Sequence, residues 1–325
     1  MNAKALAENA VFLSPFAEAL HGRRIGVAHY KISEALVGYS VLYRRFQRAL
    51  ARALTSFNAY KERRVAEGWH QSSNEDVNGH LDDFLETVYL ASELFAFYEC
   101  YLVKLFNPSR NIRNNLRTKV KDLKRFSVLL CNHCKHNFAF LQCAEVLYEN
   151  GSAVSGFCAY QMQSDVAVPV ADIHRATPCF SMNWSFRRLI TDLLQADLAA
   201  AELVKSMPEK GDEQLASLTY TLPFFEQACI IAGMPVAAMP KEPRGPQLTI
   251  TPQQFFNIEL DPHPVALQGS GKMRVFFDLI APSVGIRLPF VEGEVKVGIA
   301  NEADPSQPVP AFIRIEFADL EVIDG

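Results

Sequence analysis

The sequence is short of most things that mark a special environment. No apolar run approaches the length of a transmembrane helix, so no membrane partner is expected. Charge of one sign is also lacking. With 32 Lys and Arg against 36 Asp and Glu, no global basic field draws nucleic acid, and any such contact needs a local patch. The start, "MNAKALAENAVFLSPFAEAL", lacks a basic segment ahead of a clean apolar core, because Glu8 and Glu18 interrupt it, so no signal peptide is expected. Cysteines are few and odd in number, seven in 325 residues. That argues against a disulfide scaffold and for reduced thiols in the cytoplasm. There is no internal repeat and no long low-complexity run.

Several familiar motifs are incomplete. "GSGK" at 269–272 has Ala266 and Met273 where a phosphate loop needs Gly and Ser or Thr, and it precedes a strand instead of a helix. "GSAVSG" at 151–156 puts Ser155 inside an expected strand, which excludes a nucleophile elbow. A c-type haem needs C-x-x-C-H, and Lys135 stands at the His position. No cofactor is expected.

What is present is a 49% hydrophobic chain, enough for a substantial core in two domains or in one with an appendage. Apolar residues recur at three- and four-residue steps from about Ile25 to Arg64, through Val27, Tyr30, Ile32, Leu36, Tyr39, Tyr43, Phe46, Leu50 and Leu54. This spacing predicts a long helix. Its other face carries Arg44, Arg45, Arg48, Arg52, Lys61, Arg63 and Arg64, read as a solvated face with a phosphate-binding stripe as the alternative. A polar loop at 68–80 separates it from a second helix over Leu81 to Phe106. "NPSRN" breaks the chain, and a third helix is expected from about Asn114 to His136.

The period then shortens. "FAFLQCAEVLYENGSAVSGFCAYQM" predicts two strands joined at Asn150-Gly151. A two-residue turn there would set Cys143 opposite Cys158. Helices are expected again over Trp184 to Met207 and Leu222 to Ala232. Past the proline-rich "MPKEPRGPQ" the chain looks mostly β. The expected fold class is α+β: an antiparallel helical bundle over about 1–238 with a hairpin inserted at about 138–163, then a small β-rich domain at 246–325.

The segment that carries chemistry is "CNHCKHN", 131–137. At 100° per residue, Leu116, Val120, Leu123, Ser127, Leu130, Cys131 and Cys134 share a core stripe. Asn114, Lys121, Arg125, Asn132 and His136 fall on roughly the opposite side, with Lys135 at the margin. The cysteines read as small buried hydrophobes. The sharper alternative is a zinc site of Cys131, Cys134, Cys143 and Cys158. Asn132 and His136 are neighbours at i and i+4. A histidine serves as acid or base near neutral pH, an asparagine orients a hydroxyl or phosphate oxygen, and a guanidinium neutralises phosphate. The bland alternative is a polar helix end whose histidine caps the last carbonyls.

Long antiparallel helices with a late Asn-x-x-x-His step resemble HEPN domains (higher eukaryotes and prokaryotes nucleotide-binding). The segment is similar to the HEPN signature R-N-x-x-x-H: Asn132 and His136 match its Asn and His, and Cys131 stands at the arginine. The resemblance spans about residues 25–210. It implies a homodimer built on this polar face and a role in RNA processing, prokaryotic defence or toxin–antitoxin systems. It also implies metal-independent RNA cleavage by Asn132 and His136, with Arg125 or Lys135 holding phosphate in place of the missing arginine. The alternative is a catalytically silent scaffold that binds a protein partner.

Overall fold

The computed structural model describes residues 14–21, 29–67, 78–148, 151, 153–164, 166–175 and 179–208, single positions between 230 and 242, and the backbone of strands between 246 and 320. The fold mixes α-helices with a mainly antiparallel sheet, as an α+β chain should. The expected helix over 222–232 falls mostly outside the described residues.

Helix α1 (Pro15–His21) is short, and α2 (His29–Glu67) runs for 39 residues. Ile32, Leu36, Tyr39, Tyr43, Phe46, Leu50, Phe57 and Tyr60 are all buried, so one apolar stripe persists along nearly the whole helix. Tyr30, grouped with that stripe by spacing, is instead 64% exposed. Arg64, assigned to the polar face, is instead buried. Tyr30 lies on the outer side with exposed Val37 and Val41, and Arg64 meets the sheet through Glu145.

Helix α3 (Gly79–Ala96) packs along α2, burying Leu81, Phe84, Val88, Ala91 and Leu94. It passes through a π-turn (Phe97–Tyr101) into α4 (Leu102–Phe106). Asn107, at φ 46°, takes the left-handed conformation that ends the helix. The expected third helix is two: α5 (Arg110–Leu123) and α6 (Arg125–His136), with a turn at Lys124 between them. Helix α6 packs on α3 and on the single turn α7 (Ala171–His174), while α5 packs on α8 (Met182–Lys205). Helix α8 is buried on nearly every side. Ser181 caps it, its hydroxyl accepting from the Trp184 N–H at 3.2 Å.

Strands β1 (Phe140–Tyr148) and β2 (Ala153–Gln163) form the expected hairpin. Its register is one residue off the expected one. Phe140 pairs with Tyr160, so Cys143 faces Phe157 and Gln142 faces Cys158. Gly151 explains the shift: its φ is 81°, and its N–H donates to the Tyr148 carbonyl at 2.9 Å. Cross-strand partners share a face, so Cys143 and Cys158 lie on opposite faces of the sheet.

The ladder then extends in both directions. The order is β10-β7-β1-β2-β3-β8-β9, with β3 (Val166–Pro169), β7 (Gly271–Phe277), β8 (Ser283–Arg287), β9 (Glu294–Gly298) and β10 (Ile313–Leu320). The two-residue strand β4 (Phe180–Ser181) also pairs with β2. Strands β5 (Pro246–Thr249) and β6 (Asn257–Leu260) pair separately. Only β3 and β8 run parallel within this ladder. Hairpin and C-terminal strands thus share one sheet through β1 and β7. The hairpin also shares the helices' core, where Phe157 meets Phe84 at 5.4 Å between ring centroids. No helix among the described residues is long and apolar enough to cross a membrane.

Candidate nucleic-acid interface

Two buried polar clusters hold the helices in place. On β1, Glu145 takes both forks of Arg64 from α2, with Nε and an Nη each 2.9 Å from a carboxylate oxygen. Tyr60, one turn earlier, donates to the same carboxylate, and its hydroxyl lies 3.2 Å from Cys143 Sγ. A bidentate pair satisfied on all sides is the form in which charge tolerates burial. The second cluster centres on Asp197 of α8. It accepts from the Phe16 N–H at 3.1 Å, Tyr39 Oη at 2.9 Å and Tyr98 Oη at 2.8 Å. Burial pushes its carboxyl up to about 6, and these donors pull the other way. The π-turn sets Tyr98 at this point, so the irregularity in α3 serves to join α1, α2 and α8.

With its supports fixed, α6 turns one side inward and one side out. Ser127, Leu130 and Cys131 are buried and Cys134 is half-buried, while Arg125, Asn132, Lys135 and His136 are exposed. The division between cysteines and the Asn–His pair is therefore as the helical phase requires. Cys131, at the arginine position of the signature, belongs to the core side. Burial pushes the Cys134 thiol up to about 12, as suits a packing residue.

The zinc alternative does not survive the register. Cys143 Sγ approaches Tyr60, and Cys158 Sγ lies 3.6 Å from His174 Nε2 on the other face. Among the described residues, no three His, Cys, Asp or Glu side chains are grouped to hold a metal. A disulfide between Cys143 and Cys158 fails for the same reason.

Nor does His136 cap the helix end. The His133 carbonyl accepts from the backbone N–H groups of Asn137 and Ala139, both at 3.0 Å. Phe138, at φ 52°, turns the chain out. The histidine drawn into local bonding is His133, with Nδ1 at 3.2 Å from Asn137 Nδ2 and Nε2 at 3.6 Å from Asp172. Lys135 bends over Tyr89, its Nζ 4.4 Å from the ring centroid, which takes it away from Asn132.

Upstream lies a feature that motif matching passed over. Residues 110–136 hold eight Lys or Arg and a single acid, Asp122, in a chain of net charge −4. Lys119 pairs with Glu202 and Lys124 with Glu99, anchoring α5 to α8 and to the π-turn. Arg110, Arg117, Lys121 and Arg125 are exposed, and among the described residues no carboxylate pairs with them. With Asn114, Asn132 and His136 they follow one another at three-, four- and seven-residue steps, the spacing of one helix side. A count of charge by segment would have found them.

Comparison with protein-family models, curated proteins and solved structures finds no match for this chain.

Such a surface can hold a string of phosphates. Its cations sit on helices, its amides and imidazole can hydrogen-bond to sugar or base, and within 110–136 the one acid is Asp122, with Asp172 beside His133. The Asn132–His136 pair is open to solvent in the single chain. A water-excluding wall for chemistry there has to come from a ligand or from a second protein surface.

Proposed function

We propose that the protein is RNA-directed and binds a single-stranded segment along the outer side of α5 and α6. The observation that carries this is the exposed cation series Arg110, Arg117, Lys121 and Arg125 leading to Asn132 and His136. The likeness of the Asn-x-x-x-His step to the HEPN signature supports the same polymer. On this reading His136 is the acid/base of a metal-independent cleavage, Asn132 orients the substrate, and Arg125 holds phosphate. Lys135 is the weaker phosphate ligand, being occupied with Tyr89. The proposal includes a cytosolic setting, supported by the free thiols of Cys100, Cys131, Cys134, Cys143, Cys158 and Cys179. It also includes a homodimer.

A second reading has its own observation. Cys131 is turned into the core, so the arginine of the signature has no replacement at that place on the helix. The same face then binds without cutting, as a silent scaffold. Two variants separate these outcomes, measured against a labelled single-stranded RNA. Changing Arg117, Lys121 and Arg125 together to Gln should weaken binding by at least about tenfold and lower the salt slope by about 2. His136→Ala should leave binding intact and abolish cleavage if the face is catalytic. Cleavage absent from the wild type, with binding retained, selects the scaffold. Binding unaffected by the triple change overturns both.

A further inference from the structure

Strands β2 and β4 pair antiparallel, with Gly156 opposite Ser181 and Phe157 opposite Phe180. One step further along the same register, Cys158 falls opposite Cys179. Opposed residues of such a ladder have Cα atoms about 4.5–5.5 Å apart, inside the range of about 4.4–6.8 Å that a disulfide spans. Cross-strand partners share a face, and the two thiols lie within hydrogen-bonding reach of each other. Both are free and both are buried.

Their surroundings divide the roles. On α7, His174 Nε2 accepts from the Ala159 N–H at 2.8 Å and lies 3.6 Å from Cys158 Sγ. A ring nitrogen that accepts from a backbone N–H carries a lone pair. Cys158 therefore has a proton acceptor on one side and a second thiol on the other. Burial pushes the Cys158 thiol up, but the Cys179 hydrogen bond, together with His174, brings it below its ordinary value. Burial and Cys158 hold Cys179 well above that value. Cys158 is thus the attacking sulfur and Cys179 the resolving one.

We propose that Cys158 and Cys179 are a peroxide-reactive pair that closes to a reversible disulfide. The Cys158 sulfur attacks one oxygen of hydrogen peroxide as its proton passes to His174. The O–O bond breaks, and the departing hydroxide takes that proton and leaves as water, with Cys158 left as a sulfenic acid. The Cys179 sulfur then attacks the Cys158 sulfur. The S–O bond breaks, and its hydroxide leaves with the Cys179 proton as a second water. Two thiols give up two electrons, and one peroxide takes them. A dithiol reopens the bond by exchange. Burial selects the oxidant. Hydrogen peroxide is close to water in size and enters when the two-residue strand β4 opens locally, whereas bulky hydroperoxides do not. The closed bond ties β4, and with it the Ser181 cap of α8, to β2. The pair lies on the sheet and does not depend on the RNA reading.

The test treats the full reduced chain with hydrogen peroxide, blocks the remaining thiols with an alkylating agent in urea, and maps the cysteines by mass spectrometry without reduction. Wild type should give a Cys158–Cys179 linkage that dithiothreitol removes. Cys179→Ser should lose the linkage and leave a Cys158 sulfenic acid that dimedone traps in urea. Cys158→Ser should leave Cys179 as a free thiol at the same peroxide dose. Cumene hydroperoxide should oxidise the exposed Cys100 and give no linkage. Circular dichroism follows the helix content of each variant, and the wild-type linkage decides alone if a variant does not fold. Cys158 and Cys179 recovered as free thiols after Cys100 is fully oxidised overturns the proposal. So does either cysteine linked mainly to another thiol of the chain.

Discussion

Arg52 and Arg64 sit on one helix, twelve residues apart, and each pairs with a glutamate. Arg52 meets Glu86 with side chains 54% and 51% exposed, whereas Arg64 meets Glu145 with side chains 4% and 3% exposed. The chemistry is the same and the surroundings are opposite. At the surface, water screens the pair and the side chains give up entropy to hold it, so little is gained. In the interior, the pair itself contributes little net stability, but neither half can be removed alone, because the other is left charged and dry. The difference teaches where this fold is brittle. The helix is locked to the sheet by charge at its Arg64 end, whereas at its middle apolar packing holds it and the Arg52 pair adds little.

The sharpest way to break the comparison is to truncate both arginines. Arg64→Ala should cost about 3–5 kcal/mol in urea unfolding, and Arg52→Ala about 0.2–1 kcal/mol. Comparable losses at both sites would sink the distinction.

A backbone contact gives the next largest effect. A Cβ on Gly156 would meet the Phe180 carbonyl oxygen at 2.0 Å and Met239 Cε at 2.8 Å. Gly156→Ala therefore has to part β2 from β4, with an expected loss of about 1–3 kcal/mol in the same experiment. A neutral result would mean that the β2–β4 pairing can shift freely.

A pH-dependent effect concerns Asp197, a buried carboxyl bonded by Tyr39 and Tyr98. Its carboxyl is raised from 3.8 to about 6 by burial, so the folded state binds the proton more tightly than the unfolded state. Its contribution to stability is full below about pH 4 and is lost as the pH rises through about 6. The stability of wild type minus that of Asp197→Asn should fall over that window and stay flat above it. Thermal melts at several pH values would show this, and a difference that rises with pH would contradict it.

Much of the helical layer was legible from spacing alone, since burying one stripe of a helix imposes its period on the sequence. Helix α2 and the core stripe through Leu116, Val120 and Leu130 could be read in this way. So could the outward side of Asn132 and His136. The hairpin was legible too, but its register was not. The pairing is offset by one residue from that of a two-residue turn at Asn150-Gly151, and that offset puts Cys143 and Cys158 on opposite faces. The break at Lys124 escaped because its backbone, φ −73° and ψ −12°, departs from the helix too little for any residue preference to mark it.

What the sequence determined by itself, then, is the α+β class, the amphipathic sides of its helices and the local excess of positive charge at 110–136. Each of these depends on residues close together in the chain. The joining of the hairpin to β7, the meeting of Arg64 with Glu145 across 81 residues and of Tyr98 with Asp197 across 99, and the separation of the cysteines were decided by tertiary structure. Those contacts satisfy buried hydrogen-bonding groups, and which distant partner satisfies each one follows only when the layers are assembled.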